Sequence, residues 1–371
     1  MQSIDIVKES EIVKTPRVQQ LSGMFDIPPQ ERSAQSWEVR LPIDEKPWNI
    51  GLIVGPSGSG KTIIANELFS DYIREHFEWD AEKSILDGFP SETGIKEISG
   101  LLSSVGFSSP PAWMKPFHVL SNGEKFRVTI ARALVESPEL CVIDEFSSVV
   151  DRTVAQIGSS AIAKTVRRMD KQFIAVSCHY DIEEWLQPDW VLRVHDLSFE
   201  WRFLQRRPEI NLKICKVHSN AWEFFKKYHY LTAGHNKAAQ CFVAYYCSMP
   251  VAFMSYLHFQ NRWLKKTKKG HRLVVLPDYQ GIGVGSKLIE YIVSCVKAVG
   301  FDFIGRTAQP AVNHYRAKSN QWKCISKPGI SVNRGGKGKV GTVMHTGRLV
   351  STYRYVGPPA DYKEAKELLQ C

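Results

Sequence analysis

No stretch of this 371-residue chain approaches the ~20 consecutive apolar residues of a membrane-spanning helix, which argues against a helical channel or transporter domain and against a membrane partner. Its opening residues, MQSIDIVKESEIVK, lack the apolar core of a secretion signal, so a cytoplasmic protein is expected. No two cysteines form a CxxC pair. Cys141, Cys178, Cys215, Cys241, Cys247, Cys295, Cys324 and Cys371 are scattered, which speaks against a zinc site or disulfide framework and for reduced thiols. Acidic residues are scarce in one part only. Residues 201–371 hold 8 Asp and Glu against 28 Lys and Arg, whereas residues 1–200 hold 30 against 20. The net charge of +10 therefore conceals −10 followed by +20, which suggests two domains with different partners, the second facing something anionic. Nucleic acid leads among such partners, and a merely solvated basic face is the plain alternative.

What is present begins with WNIGLIV (Trp48–Val54), an apolar run of strand length. GPSGSGKT (Gly55–Thr62) follows it, and IIANELFSDYI then has helical spacing. Strand, glycine-rich loop and helix is the context of a phosphate-binding P-loop. Gly55, Ser57, Gly58, Ser59 and Gly60 would let backbone N–H groups close around phosphates, aided by the positive helix end. Lys61 would neutralise the β and γ oxygens, and the Thr62 hydroxyl would ligate Mg²⁺. LSNGE (Leu120–Glu124) then precedes KFRVTIARAL, a helix-like run with Val128, Ala131 and Leu134 on one face. LCVIDEF (Leu140–Phe146) reads as a buried strand ending in two acids.

This order of motifs resembles the ABC ATPase family over most of residues 20–200. The resemblance implies that Ser121, Asn122 and Gly123 form the signature that completes an ATP site on a partner subunit. It also implies that Asp144 holds Mg²⁺ through water and that Glu145 polarises the attacking water. SSVVD (Ser147–Asp151) lies where the family has its D-loop, and His179, in AVSCHYD, lies where its switch histidine meets the γ-phosphate. Phe25, in MFDI, is placed to stack on adenine, with Trp37 a competitor. The family's Q-loop glutamine is missing, because no glutamine occurs between Thr62 and Leu120; Asp87 and Glu92 are the candidate substitutes. The short interval leaves space for only a small helical subdomain. A single P-loop with a single signature implies a head-to-tail homodimer, a stand-alone ATPase rather than a transporter subunit.

VLRV (Val191–Val194) and FEWRF should close the first domain, with QRRPEIN (Gln205–Asn211) as linker. LKICKV and an amphipathic WEFFKKYHYL follow, and QCFVAYY and VAFMSYLHF read as an antiparallel hairpin around CSMP. HRLVVLP (His271–Pro277) is a further strand, leading through a glycine-rich turn to a helix carrying Leu288, Ile289, Ile292, Val293 and Val296. FDFIGRT (Phe301–Thr307) is the strand after it. The turn, Gln280, Gly281, Ile282, Gly283, Val284 and Gly285 with Ser286 beyond, resembles the Q/R-x-x-G-x-G/A loop of the GNAT N-acetyltransferases. Physically it is a second anion cradle at a helix N-terminus, suited to the pyrophosphate of acetyl-CoA or another acyl-CoA. Its glycine spacing is wrong for a dinucleotide fingerprint. In that family a tyrosine after the next strand often protonates the departing thiolate, which points to Tyr315, with Asn313 just before it. His229, His258 and His314 remain open as the base.

The expected fold is α/β: a P-loop ABC ATPase domain over residues 1–204, then a GNAT-like α+β mixed-sheet domain over residues 205–371. WEFFKKYHYL, the hairpin, the glycine-rich loop and RLVSTYRYVG, read as a basic tail, are also similar to Mom-type proteins, which modify adenine in phage DNA. NRWLKKTKKGHR (Asn261–Arg272), with Trp263, and NRGGKGK (Asn333–Lys339) read as loops able to neutralise phosphates and stack a base. Two function classes follow. One is an ATP-dependent acyltransferase acting on a nucleic-acid base; the other acetylates a protein or small-molecule amine, with the ATPase as a regulatory or DNA-binding module. A clamp without transfer chemistry is a third.

Overall fold

The computed structural model describes residues 2–26, 32–74, 77–202, 208–229, 234–259, 264, 266–330 and 349–370. The strands are β1 (Gln2–Glu11), β2 (Arg32–Leu41), β3 (Ile50–Val54), β4 (Leu140–Ile143), β5 (Gln172–Ser177), β6 (Trp190–Arg193), β7 (Ser198–Trp201), β8 (Lys213–Val217), β9 (Gln240–Tyr246), β10 (Met249–His258), β11 (Thr267–Val275), β12 (Asp302–Thr307), β13 (Trp322–Ile330) and β14 (Leu349–Tyr355). The helices are α1 (Pro16–Phe25), α2 (Lys61–Phe69), α3 (Ile95–Ser104), α4 (Pro110–Trp113), α5 (Asn122–Glu136), α6 (Arg152–Met169), α7 (Glu183–Leu186), α8 (Trp222–Phe225), α9 (Val284–Ala298), α10 (Pro310–Lys318) and α11 (Tyr362–Gln370). Two compact units interleave along the chain.

The first unit comprises Met1–Phe77, Glu136–Val149 and Val166–Arg207. Its five-stranded sheet has the order β4-β5-β3-β6-β7, with β7 alone antiparallel. IGLIV and LCVI are buried along their whole length, which is why both read as unbroken apolar runs rather than alternating ones. Gly51 is demanded by packing, since a methyl group there would overlap the Trp190 indole. Ile53, Ile64, Val142, Ile174, Val176, Trp190 and Leu192 form the core, joined by Ile6, Trp37, Val39 and Leu41 from the antiparallel β1–β2 ribbon. Val54 pairs with Ser177 and Ile143 with Ala175, so β3, β4 and β5 end along one edge.

The second unit comprises Glu78–Val135, Val150–Thr165 and Pro208–Cys371. Residues from the first part of the sequence, including α3, α4 and α5, thus group with the C-terminal sheet. The seven-stranded sheet has the order β13-β14-β12-β11-β10-β9-β8. One face carries α9 through Leu288, Ile292, Val293 and Val296, packed on Phe242, Met254 and Tyr256. The other carries Trp222 and Phe225 of α8, packed on Cys241, Val243 and Phe253. The parallel ladder of β11 and β12 holds only from Thr267↔Asp302 to Lys269↔Ile304, and no pairing continues beyond it among the described residues.

Two expectations are corrected. Lys268, Lys269 and Arg272 lie in β11 rather than in a loop, because β10 pairs with them along the strand. Their charges are accommodated by aromatic faces: Lys268 Nζ stands 4.2 Å from the Phe301 ring centre and Lys269 Nζ 5.6 Å from that of Phe259. STYRYVG is no tail either. It supplies most of β14, an interior strand hydrogen-bonded to both β12 and β13. Trp263 and NRGGKGK lie outside the described residues.

Candidate functional site

Gly55–Thr62 leaves the end of β3 and opens α2, as the sequence suggested. Gly58 (φ 78°) and Gly60 (φ 98°) are left-handed, a conformation open to glycine at no steric cost. Lys61 is buried, and its ammonium donates to the Pro56 carbonyl at 2.7 Å, folding the side chain back over the loop. The Ser59 hydroxyl is buried without a partner, an orphan of the kind an incoming phosphate oxygen would satisfy. Trp37 seals the loop from one side. Its Nε1 donates to the Ser59 carbonyl at 3.0 Å, and a methyl group on Gly60 would stand 2.5 Å from its ring. Phe25, the other aromatic candidate, ends α1 and is 64% exposed.

Asp144 and Glu145 follow β4, and His179 follows β5 by two residues, on the edge where the P-loop begins. The turn after β4 is tight: Glu145 (φ 49°) and Ser147 (φ 68°) are both left-handed, and the Glu145 N–H donates to Asp144 Oδ1 at 2.7 Å. Ser177 fastens the two turns together, its hydroxyl donating to the Phe146 carbonyl at 3.0 Å and accepting from the His179 N–H at 3.1 Å. No group of three His, Cys, Asp or Glu side chains gathers to hold a metal ion among the described residues. Nucleotide-bound Mg²⁺ asks for less, one or two protein oxygens plus phosphate and water, and Thr62 and Asp144 are the oxygen donors the sequence offers for it.

In the second unit, Ser121 caps α5. Its N–H and hydroxyl reach Glu124 Oε2 at 2.9 and 3.0 Å, and the Glu124 N–H returns to Ser121 Oγ at 3.4 Å, a reciprocal capping box. Ser121 and Asn122 are exposed and Gly123 half-buried, leaving this helix start open. Asp87, one of two candidates for the absent glutamine, accepts from the Ser84 hydroxyl at 2.6 Å.

Gln280–Ser286 joins β11 to α9, with left-handed Gly281 (φ 85°) and Gly283 (φ 93°). Gly283 has open space where a side chain would stand, and Gly285 lets α9 approach Val275, where a methyl group would sit at 2.9 Å. Ile282, Val284 and Ser286 complete a run of amides at the start of a 15-residue helix, a fit for a pyrophosphate. Gln280 is committed elsewhere: its Oε1 accepts from the Ser108 N–H at 2.8 Å and its Nε2 donates to the Val275 carbonyl at 2.9 Å.

Tyr315, on α10, donates its hydroxyl to Glu290 of α9 at 2.6 Å. Trp322 Nε1 donates to the same carboxylate oxygen at 3.3 Å. Burial, together with Glu290, pushes the phenol up to about 12, so it is protonated at neutral pH, the form a proton donor needs. Among the histidines left open, His258 and His314 are exposed. His229 stands edge-on to Trp222 with ring centres 5.4 Å apart.

The sequence reading missed a different pair. His235 stacks on Trp222, lies 5.0 Å from the His271 ring, and places Nε2 3.1 Å from Ser255 Oγ. His271 Nε2 accepts from the Asn236 N–H at 3.2 Å, which assigns its proton to Nδ1. Burial and Arg272 push His271 down to about 4, and the same causes lower His235, so both rings are neutral at pH 7. Strict alternation along β11 would put His271 on the α9 face with Leu273. A bulge opposite Ser255–Tyr256 re-aims it to the Trp222 face.

Residues 237–318 match the family model described as acetyltransferase (GNAT) domain. The energy-coupling factor transporter ATP-binding protein EcfA1 of Listeria monocytogenes is 32% identical over 107 residues, covering 28% of this chain and 36% of that protein. Its counterpart in Geobacillus kaustophilus is 26% identical over 175 residues, covering 37% of this chain and 61% of that protein. The chain thus spans about a third to three-fifths of the length of these relatives. Among solved structures, a dimeric post-hydrolysis ATP-binding cassette bound to ADP and Pi covers 55% of this chain and 98% of its own, at 15% identity and a TM-score of 0.39. The IAA acetyltransferase of Bacillus cereus covers 39% and 99%, at 14% identity and a TM-score of 0.30. The chain therefore combines an N-terminal region similar to ABC-type ATP-binding proteins with a segment, residues 237–318, that matches the GNAT acetyltransferase domain model.

Proposed function

We propose that the chain is an ABC-type ATP hydrolase joined to an acyl-CoA-dependent N-acyltransferase that modifies a nucleic-acid base, and that it works as a head-to-tail homodimer. The observation carrying this reading is that two anion cradles of different design stand in one chain, each between a strand and a helix: Gly55–Thr62 and Gln280–Ser286. Around the first, Lys61 balances phosphate charge, Thr62 and Asp144 hold Mg²⁺, Glu145 orients water and His179 meets the terminal phosphate. Ser121, Asn122 and Gly123 complete the site on a second copy. Around the second, the amides from Gly281 to Ser286 hold the pyrophosphate of acyl-CoA, which supplies an acyl group activated as a thioester. In the transfer a C–S bond breaks and a C–N bond forms; the amine gives up a proton and Tyr315 offers one to the departing sulfur. The net charge of +20 over residues 201–371 supports a polyanionic acceptor, and the similarity to Mom-type proteins belongs to the same reading.

The test is mass spectrometry of nucleosides from DNA and RNA of cells expressing the wild type, Lys61→Ala or Tyr315→Phe. An acylated nucleoside present with the wild type and lost with Lys61→Ala establishes polymer modification that depends on ATP. Unmodified nucleosides in every sample, with expression confirmed, refute the nucleic-acid acceptor.

A further inference from the structure

Arg127 lies one turn into α5 from the Ser121–Gly123 motif and is 1% exposed. Its Nη1 donates to the Gly123 carbonyl at 3.2 Å and its Nη2 to the Asp278 carbonyl at 3.3 Å. Asp278 sits in the turn just before Gln280, and its carboxylate, like that of Glu124, attracts the guanidinium. Retaining a charge so far from water is costly unless such partners stay in place. A second contact lies beside it. Gly281 and Gly106 meet backbone to backbone, a methyl group on Gly281 standing 2.7 Å from Gly106 Cα and 2.8 Å from Ala161 Cβ. A third is the bond from the Ser108 N–H to the Gln280 side chain. The start of the acyl-donor loop is therefore seated on α6 and the turn between α3 and α4, and Arg127 ties Asp278, just before it, to the signature helix α5.

We propose that Arg127 is a positioning residue that links nucleotide engaged by Ser121–Gly123 to acyl-CoA held by Gln280–Gly285, so that each ligand changes the affinity for the other. This inference rests on the readings of both motifs given above. Gly123 and Asp278 hang on one guanidinium in a close-packed interior, so a displacement of the signature is carried to the loop rather than absorbed. The coupling is reciprocal by thermodynamic necessity.

The experiment titrates CoA into the full chain with and without a non-hydrolysable ATP analogue and Mg²⁺, then the analogue with and without CoA, while sedimentation follows dimer formation. The expected result is one common factor of about fivefold or more in both directions, falling to within about twofold of unity in Arg127→Lys. Should that variant not fold, Arg127→Met, which removes the buried charge outright, takes its place. If the analogue forms the dimer and both ligands bind without influencing each other, the inference fails and the function stands. If CoA does not bind, or the analogue forms no dimer, the function reading fails and the inference with it. A factor undiminished in the variants removes Arg127 from the link.

Discussion

Tyr315 and Glu290 share a short hydrogen bond, 2.6 Å from phenol oxygen to carboxylate oxygen, that ties α10 to α9. Burial is the main cause that keeps the phenol protonated, and the carboxylate beside it makes the proton harder still to give away. Glu290→Gln removes the anionic acceptor while preserving a partner for Trp322. The Tyr315 pKa should fall from about 12 toward the ordinary tyrosine value, read by ultraviolet difference titration against Tyr315→Phe.

The P-loop predictions turn on Trp37. Trp37→Phe keeps most of the buried ring but loses the Nε1 bond to Ser59, about 0.5–1.5 kcal/mol, so ATP affinity should weaken roughly 2- to 10-fold by calorimetry. Gly60→Ala meets both a left-handed backbone and the indole at 2.5 Å, and should abolish nucleotide binding.

Gly281→Ala forces a methyl group against Gly106 and Ala161 at a left-handed position, and overpacking with the conformational cost should destabilise the chain by about 2–4 kcal/mol in denaturant unfolding. Gly283→Ala, with open space at the same backbone conformation, should cost only about 1–2 kcal/mol. Equal losses at the two positions would contradict the close approach.

Acid should weaken the histidine pair. His271 is held neutral in the fold, with its pKa near 4 against the ordinary 6.5, so the unfolded chain binds more protons between those values. Stability is fully present above pH 6.5 and falls as the pH drops toward 4. His271→Gln should flatten this part of the pH–stability profile, measured by thermal unfolding.

The strands around the P-loop were readable because IGLIV and LCVI are apolar throughout and FIAV stays apolar up to Ser177, each ending at its motif. The P-loop, the paired acids and His179 consequently converge on one edge, as their order along the chain implies. β1–β2 was not readable. QSIDIVKESE is largely polar, and Val7 stays 59% exposed, so no unbroken or cleanly alternating apolar pattern announces it. The start of β11 was obscured by KKTKK, whose lysines look like loop charges until the rings of Phe301 and Phe259 are in place. His271 escaped for a subtler reason: one extra residue in a bulge decides which face it joins, and period-two patterning holds no trace of it.

The order β13-β14-β12 has a consequence for synthesis. β14, built from Leu349–Tyr355, lies between two strands made before it. While the ribosome is still translating those residues, β12 and β13 have no neighbour on their facing sides, and each shows a row of unpaired amides and carbonyls. The seven-stranded sheet therefore cannot be finished strand by strand as the chain emerges. Its completion waits for Tyr355 to clear the exit tunnel, and a message cut short before Leu349 leaves open the seam that β14 closes between β12 and β13.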